Sequence, residues 1–271
     1  MTDMATNSGS HISIRGVHKV FQSGGQDVYA LKAIDLEIAQ GEFVCLLGPS
    51  GCGKSTLLNA VAGFSLPTSG GIDVEGAAIT EPGPDRGMVF QEYALFPWMT
   101  VEQNIAFGLQ IKGEAKEAIQ ARVGSLLELL HLQDFRKRFP KDLSGGMRQR
   151  VAIARVLALD SPILLMDEPF GALDALTRRN LQDELLRLWT ELRKTILFVT
   201  HSIEEALYLA DRTVVMTYRP GTIKRDLRVD LPRPRDVASP AFNALKKELS
   251  LLLMEEQHRH EQDEFRGAAV D

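Results

Sequence analysis

The sequence predicts an α/β fold built on a parallel sheet, with an antiparallel β region before it and a helical insertion within it. Two observations lead to this prediction. A glycine-rich loop at residues 48–53 follows an apolar run and precedes an apolar helical segment. Later, apolar runs at residues 163–166, 195–200 and 213–216 alternate with helical segments. That alternation is typical of a doubly wound parallel sheet.

The antiparallel region is predicted from residues 12–38, where apolar and polar residues alternate around a Gly-Gly break at Gly24. Residues 1–11 are polar and lack the apolar core of a signal peptide, so we expect a disordered leader there. Phe43–Leu47 is a continuous apolar run, as expected for a strand buried on both faces. Shorter strands are predicted at residues 71–79 and 87–90.

From about residue 92 to residue 155 the spacing of apolar residues changes from that of strands to that of helices. These residues carry helical spacing, as in Val123, Leu126, Leu127 and Leu130, and we expect a helical insertion here. Other helices are predicted at residues 54–62, 147–157, 175–192 and 203–210. Beyond Arg219 we expect a short hairpin at 222–231, a helix at 241–254 and a charged, frayed tail from about 255. The predicted domains are therefore 12–219 and a short C-terminal region, 220–271.

Composition narrows the class of protein. The chain has 271 residues, 44% of them hydrophobic, and a formal net charge of −5. This balance argues against a nucleic-acid partner, which would need a basic face. No apolar run approaches the roughly 18 residues of a membrane-spanning helix, so we expect a soluble, cytoplasmic chain. Its two cysteines, Cys45 and Cys52, form no disulfide framework.

The glycine-rich loop carries the clearest chemistry. Residues 48–56 fit the pattern G-x-x-x-x-G-K-[ST], which binds nucleotide phosphates. Its glycines let successive backbone N–H groups point at phosphate oxygens, and the helix from Lys54 adds its positive end. Lys54 would reach the β- and γ-phosphates, and the Ser55 hydroxyl would ligate Mg²⁺. The predicted ATP-binding residues are Gly48, Pro49, Ser50, Gly51, Cys52, Gly53, Lys54, Ser55 and Thr56.

An acidic pair ends the apolar run at residues 163–166. Asp167 and Glu168 lie where ligands bind in open α/β sheets. Asp167 would hold Mg²⁺ and Glu168 would polarise an attacking water; the alternative is a solvated acidic turn. His201 and Gln91 also follow predicted strands, but a lone histidine or glutamine at such a position is more often structural.

The segment Leu143-Ser-Gly-Gly-Met-Arg-Gln-Arg150 resembles the signature of ABC-transporter ATPases. The phosphate loop, Gln91, the Asp167-Glu168 pair, residues 171–174 and His201 occur in that family's order. The resemblance covers residues 12–234. It implies a P-loop ABC ATPase core with a parallel sheet, an antiparallel β subdomain and an inserted helical subdomain.

The resemblance also implies roles for single residues. Glu168 would be the catalytic base, His201 a switch residue, and Gln91 a sensor of Mg²⁺ and the γ-phosphate. Phe21 matches the position of an aromatic ring stacked on adenine. Asp174 would communicate across a dimer. In the family, the signature residues of one subunit close over ATP held by the other; here they are Ser144, Gly145, Gly146 and Met147.

Departures from the family pattern are small. Met147 stands where many members have glutamine, and Phe21 stands where tyrosine is common. Residues 81–91, 95–100, 167–178 and 219–221 resemble the nitrate, sulfonate and taurine importer branch.

The resemblance implies partners as well. They would be membrane permease subunits at the cytoplasmic face of the membrane, a second ATPase subunit (an identical copy or a paralogue) and, indirectly, a solute-binding protein. The aromatic segment 93–101 could receive a permease helix, although local core packing would explain it equally simply.

Two other function classes remain open from the residues alone. One is a soluble ABC ATPase that acts on DNA or ribosomes, which the net charge of −5 and the single cassette disfavour. The other is a P-loop kinase or GTPase, but the sequence lacks an N-K-x-D guanine motif, and such an enzyme has no use for residues 143–150.

Overall fold

The computed structural model describes the backbone of residues 10–268 and the side chains of residues 10–22 and 24–260. Residues 1–9 of the predicted leader lie outside this range, whereas Ser10 and His11 already belong to the first strand. The chain divides into two compact units. The first unit runs up to Pro82 and resumes at Thr195, and the second unit is Gly83–Lys194.

The first unit contains an antiparallel sheet and a mostly parallel sheet. The antiparallel sheet has the order β2-β1-β4-β5, as predicted for the region before the phosphate loop. Strands β8, β3 and β9 are parallel neighbours, and β10 joins β9 antiparallel at the edge. The strands are β1 (Ser10–Ser23), β2 (Gln26–Ala39), β3 (Phe43–Leu47), β4 (Ser69–Val74), β5 (Ala77–Ala78), β8 (Thr195–Thr200), β9 (Arg212–Met216) and β10 (Ile223–Arg228).

Central strands β3 and β8 are buried at every position. This agrees with their unbroken apolar sequences, because both faces of a parallel sheet are covered. The first unit's helices flank these strands in the chain. They are α1 (Lys54–Ala62), α6 (Ile203–Leu209) and α7 (Pro240–Ala268).

The second unit holds the predicted helical insertion between two parallel strands, β6 (Arg86–Val89) and β7 (Ile163–Asp167). Its helices are α2 (Val101–Ile111), α3 (Lys116–Leu129), α4 (Gly145–Ala158) and α5 (Ala175–Leu192). Thr100 begins α2 through a capping box with Gln103, in which each side chain accepts the other residue's backbone N–H. The fold class predicted from sequence is confirmed, while the domain boundaries stay predictions.

Three local predictions were wrong. The expected strand at 71–79 is two strands, because Glu75 and Gly76 form a turn with positive φ values of 50° and 80° between β4 and β5. The expected hairpin at 222–231 is the single strand β10, which pairs with β9. The tail expected to fray from about residue 255 continues α7 to Ala268, and residues 269–271 lie outside the described range.

The described helices can be compared with the length and apolar character that a membrane-spanning helix needs. Among the described residues, every helix is too short or too polar to cross a bilayer. Even α7, at 29 residues, is interrupted throughout by charged side chains.

Candidate functional site

The phosphate loop lies between β3 and α1 in the first unit. Gly53 precedes α1 and provides no side-chain cap for the first turn of this helix. Such a helix start, which also carries the positive end of the helix dipole, is suited to an anion.

Glycine is required at two points of this loop. Gly53 has a φ of 96°, and a Cβ built there would lie 2.7 Å from Leu31 Cδ2 and 2.9 Å from the Ala30 carbonyl oxygen. A Cβ at Gly48 would lie 2.7 Å from Cys52 Sγ and 3.1 Å from the Met216 carbonyl oxygen. Any side chain would therefore open the loop, which supports its assignment as a phosphate-binding turn.

Lys54 folds back into the loop. Its side chain is buried, and its Nζ donates to the carbonyl oxygens of Gly48 at 2.8 Å and Pro49 at 2.9 Å. A buried positive charge thus lies beside uncapped N–H groups, which is the donor set that phosphate groups need.

Cys52 is part of the same loop and is also buried. Burial raises the pKa of its thiol, although the Lys54 ammonium acts in the opposite direction. The thiol is therefore protonated at neutral pH, which suits a packing role better than a reactive one.

The first unit brings His201 close to the phosphate loop. His201 directly follows β8, and the parallel register pairs Thr200 with Leu47, the last residue of β3. A cavity of about 520 Å³ is lined by Gly48, Pro49, Ser50 and His201, together with Leu253, Gln257 and His260 of α7. His201 and the phosphate loop thus line the same cavity, whereas the role of His201 as a switch residue stays a prediction.

Phe21 lies on β1, also in the first unit, and is 44% exposed. The Lys19 ammonium lies 5.2 Å from the centre of its ring, within the range of a cation–π contact. An exposed aromatic ring next to a cation can stack on a purine base, but its place relative to adenine stays a prediction.

In the second unit, the predicted acidic pair lies at the carboxyl end of β7. Asp167 is its last residue, and Glu168 follows with a φ of 42°, a conformation that non-glycine residues rarely adopt outside functional or constrained sites. The register pairs Val89 with Met166. Gln91 and Glu168 therefore each lie two residues beyond that pair, at the same edge of the strands.

The segment after Gln91 is held in place by Asn104. This buried side chain accepts the Phe96 backbone N–H at 2.9 Å and donates to the carbonyl oxygens of Phe96, Met99 and Thr100 at 3.0–3.2 Å. Trp98, in the middle of that segment, is 69% exposed. A well-ordered turn thus presents a large aromatic side chain outward.

The signature segment starts α4 earlier than the sequence predicted. The helix begins at Gly145 rather than Met147, because Ser144 caps it by accepting the Met147 N–H at 3.3 Å. A Cβ at Gly146 would lie 2.6 Å from Thr177 Cγ2 of α5. Glycine there permits the close packing of α4 on α5.

Asp174 caps the next helix, α5. Its carboxylate accepts the Thr177 N–H at 3.0 Å, and this bond lowers the pKa of Asp174. Arg178 holds the preceding turn by donating to the carbonyl oxygens of Phe170 and Leu173. Asp174 is exposed, as a residue that contacts another subunit would have to be.

Sequence reasoning missed two residues near the phosphate loop. Arg219 Nε donates to the Gly51 carbonyl oxygen at 3.3 Å, and Glu256 on α7 is fully buried. The signal for Glu256 was present: the buried positions of α7 within residues 240–260 are Phe242, Leu249 and Glu256, seven residues apart. An acid therefore occupies a position where helical periodicity predicts an apolar residue.

The chain was compared with known proteins. The ABC transporter family profile matches residues 31–171. The nitrate import ATP-binding protein NrtD of Synechocystis sp. is 47% identical over 238 residues, 88% of this chain and 90% of that protein. The aliphatic sulfonates import ATP-binding protein SsuB of Bacillus cereus is 45% identical over 238 residues, 88% of this chain and 94% of that protein.

A solved structure extends the comparison. A dimeric post-hydrolysis state of the ATP-binding cassette MJ0796, bound to ADP and Pi, superposes with a TM-score of 0.72 at 34% identity. The match covers 80% of this chain and 98% of that one. Together with the family match over 31–171 and the relatives at 45% and 47% identity, it leads to one conclusion. The chain belongs to the ABC transporter family, as an ATP-binding subunit and ATPase.

Proposed function

We propose that this chain hydrolyses ATP at two composite sites of a dimer and thereby energises an importer of small oxyanions or organosulfur compounds. One observation carries the proposal: the loop at residues 48–53 leaves the start of α1 uncapped, with Lys54 buried beside it. Each site would combine this loop with the signature residues 144–147 of a second subunit.

The residue roles are proposed from the chemistry of the side chains and, for Phe21, His201 and Asp174, from the family resemblance. Lys54 and the loop N–H groups would bind the β- and γ-phosphates, and Glu168 would accept a proton from the attacking water. His201 would hydrogen-bond the γ-phosphate, and Phe21 would stack on adenine. Asp174 would contact the other subunit. Fixed donors that hold the phosphates would lower the barrier to hydrolysis mainly through positioning and electrostatics.

Magnesium fits the donor set of the proposed site. Ser55, Gln91 and Asp167 supply hydroxyl, amide and carboxylate oxygens, which are the ligands that Mg²⁺ prefers. Ser55 directly follows Lys54 at the start of α1. When bound, the ion would neutralise charge on the transferred phosphoryl group.

The test of the catalytic and dimeric parts uses Glu168→Gln. We expect this variant to bind Mg·ATP, to lose nearly all turnover and to shift from monomer to dimer in gel filtration only when Mg·ATP is present. The same substitution combined with Lys54→Ala is the control and should stay monomeric. A Glu168→Gln protein with near wild-type turnover would overturn the assignment of the base.

A separate experiment tests whether the signature residues of one subunit act on the ATP held by the other. In mixed dimers, Ser144→Arg in one subunit should impair the ATP bound by the other subunit's loop, because the substitution crowds the segment that would close over it. Loss of activity confined to the variant subunit's own phosphate loop would contradict the composite site.

The import partners are proposed from the relatives, whose names include nitrate and aliphatic sulfonate import. Permease subunits would place the chain at the cytoplasmic face of the membrane, and a solute-binding protein would act through them. The solute itself would not contact this chain. Uptake of labelled nitrate, taurine and alkanesulfonate in proteoliposomes with the permease pair would decide among them.

The permease would dock on the ordered turn at residues 93–101, where Trp98 is 69% exposed and Phe96 packs on Phe107 with ring centres 4.6 Å apart. We expect Trp98→Ala to reduce co-purification with the permease. Ile111→Ala is the matched control, because Ile111 is an equally exposed apolar residue (74%) at the end of α2. Equal retention of the permease by both variants would exclude this docking site.

A further inference from the structure

Glu256 is a buried carboxylate that the proposed reaction does not use. Its side chain has no exposed surface, although α7 lies at the end of the described chain. One carboxylate oxygen accepts the Tyr218 backbone N–H at 2.9 Å, and the other accepts the Lys224 ammonium at 2.6 Å. Arg259, one turn later, adds an ion pair at 3.3 Å. A buried charge satisfied this fully holds its helix in one position.

Lys224 also pairs with Glu255, the residue before Glu256, so the two neighbouring carboxylates can be compared. Glu255 accepts the same ammonium at 2.6 Å, but its side chain is 63% exposed. Burial lowers the pKa of Lys224, yet the hydrogen bonds to Glu255 and Glu256 outweigh this and raise it. Of these two carboxylates, Glu256 is the one that also binds the backbone of residue 218.

The segment 217–222, which Glu256 holds, supports the phosphate loop. Arg219 Nε donates to the Gly51 carbonyl oxygen at 3.3 Å. The Gly221 N–H donates to the Ala30 carbonyl oxygen at 3.0 Å. A Cβ at Gly221 would lie 2.2 Å from the Cys52 carbonyl oxygen, so the backbone of this segment is in close contact with the loop.

The same end of α7 also reaches the cavity beside the loop. Gln257 and His260 line it together with Pro49, Ser50 and His201. The His260 ring packs on Tyr218 with ring centres 4.2 Å apart. Two residues of the helix, Glu256 and His260, therefore contact Tyr218, and the same helix supplies part of the cavity's lining.

We propose that Glu256 is a positioning residue for the ATPase reaction: it fixes α7 against segment 217–222, and that segment holds the apex of the phosphate loop at Gly51 and Cys52. The inference rests on the proposed use of this loop in ATP hydrolysis. It gives the C-terminal helix a role in nucleotide binding that a mere cover for the core would not have.

The test compares Glu256→Gln with Glu255→Gln. A glutamine at 256 is neutral and offers one acceptor oxygen where the carboxylate offers two, so either the Tyr218 N–H loses its acceptor or the Lys224 ammonium is left with Glu255 and the Leu252 carbonyl oxygen. We expect the KM for ATP to rise about tenfold, because hydrogen bonds to ionised groups are the strong ones. The kcat at saturating ATP should change by less than about twofold, since the reacting groups remain. Glu255→Gln should leave both values near wild type.

A second variant tests the contact between segment 217–222 and the phosphate loop. Arg219 is exposed, so Arg219→Ala is expected to fold, and it should also raise the KM for ATP. If both residues act through one path, the double variant Glu256→Gln/Arg219→Ala will show a KM close to the larger single effect instead of the product of the two. Thermal unfolding of each variant is measured alongside.

The outcomes separate the inference from the proposed function. Wild-type protein that hydrolyses no more ATP than Lys54→Ala would refute the proposed function. An active wild type, with Glu256→Gln folded and kinetically equal to Glu255→Gln, would overturn the inference. A lowered melting temperature with unchanged KM, or effects that multiply fully in the double variant, would also overturn it, because a purely structural residue behaves in that way.

Discussion

Replacing Gly53 by alanine tests whether the phosphate loop needs its observed conformation. Gly53 has a φ of 96°, and left-handed backbone costs a residue with a Cβ about 1–2 kcal/mol. The new Cβ would also lie 2.9 Å from the Ala30 carbonyl oxygen. That carbonyl already accepts the Gly221 N–H at 3.0 Å, so it cannot move away without weakening a hydrogen bond. Overpacking of this kind adds about 1–3 kcal/mol.

The two effects together lower the free energy of unfolding by about 3 kcal/mol. Gly25→Ala is the matched control. Its φ of 79° carries the same kind of backbone strain, but a Cβ there meets no described atom within 4 Å. We expect about 1 kcal/mol for this control. The difference between the two losses in the free energy of unfolding measures the effect of the close contacts that a Cβ at Gly53 would make.

Urea denaturation measures both variants, and binding of a fluorescent ATP analogue is measured in parallel. Gly53→Ala should bind the analogue at least tenfold more weakly, because an opened loop no longer directs its N–H groups at the phosphates. Gly25→Ala should bind it as wild type does. If Gly53→Ala lost no more stability than Gly25→Ala and bound the analogue normally, the loop conformation argued above would be wrong.

Three further predictions concern other parts of the chain. Arg235→Met should lower the free energy of unfolding by about 3 kcal/mol, because the buried guanidinium donates to the carbonyl oxygens of Leu207, Ala210 and Val229; a loss under about 1 kcal/mol by urea titration would contradict this. Phe21→Ala should weaken ATP binding about tenfold and Phe21→Tyr should not, since tyrosine keeps the stacking face. If Phe21→Ala bound ATP as tightly as Phe21→Tyr, stacking on adenine would be excluded. Ser144→Ala removes the cap of α4 and should cost about 1 kcal/mol in thermal unfolding, whereas Ser144→Asp should keep it.

The parts of the fold that follow from local pattern were predicted closely. The structure has α1, α5 and β8 with the predicted bounds. Each is defined by nearby residues: Gly63 ends α1 in the left-handed conformation, and Asp174 caps α5. The apolar run of β8 is unbroken, so its limits coincide with its burial.

Elements decided by distant contacts were predicted less well. The sequence predicts a separate hairpin at 222–231, whereas β10 pairs with β9, a partner that the local pattern of residues 222–231 does not identify. Helix α7 extends beyond Met254 because its later residues are rich in glutamate, glutamine and arginine, which favour helix even when they are charged. A charged composition alone therefore did not indicate a frayed end.

The same distinction holds for the candidate site. The phosphate loop is contiguous, so its glycines and Lys54 could be identified from spacing alone. The contact of Arg219 with Gly51 joins residues 168 positions apart, and Glu256 meets Tyr218 across 38 positions. No local pattern encodes such pairs, because they arise only when the segments pack.

The starts of α1 and α4 differ in a way that fits two separate tasks. Helix α1 begins after Gly53, which provides no side-chain cap, so no protein side chain competes with an anion for this end. Helix α4 begins after Ser144, whose hydroxyl accepts the Met147 N–H at a rather long 3.3 Å. This end has its own side-chain cap, and in the proposed dimer it would exchange that weak internal bond for a stronger one to phosphate. In the proposed dimer, the loop would bind nucleotide in each subunit and the signature would engage it only after closure, which suits one helix start without a side-chain cap and one with a weak cap.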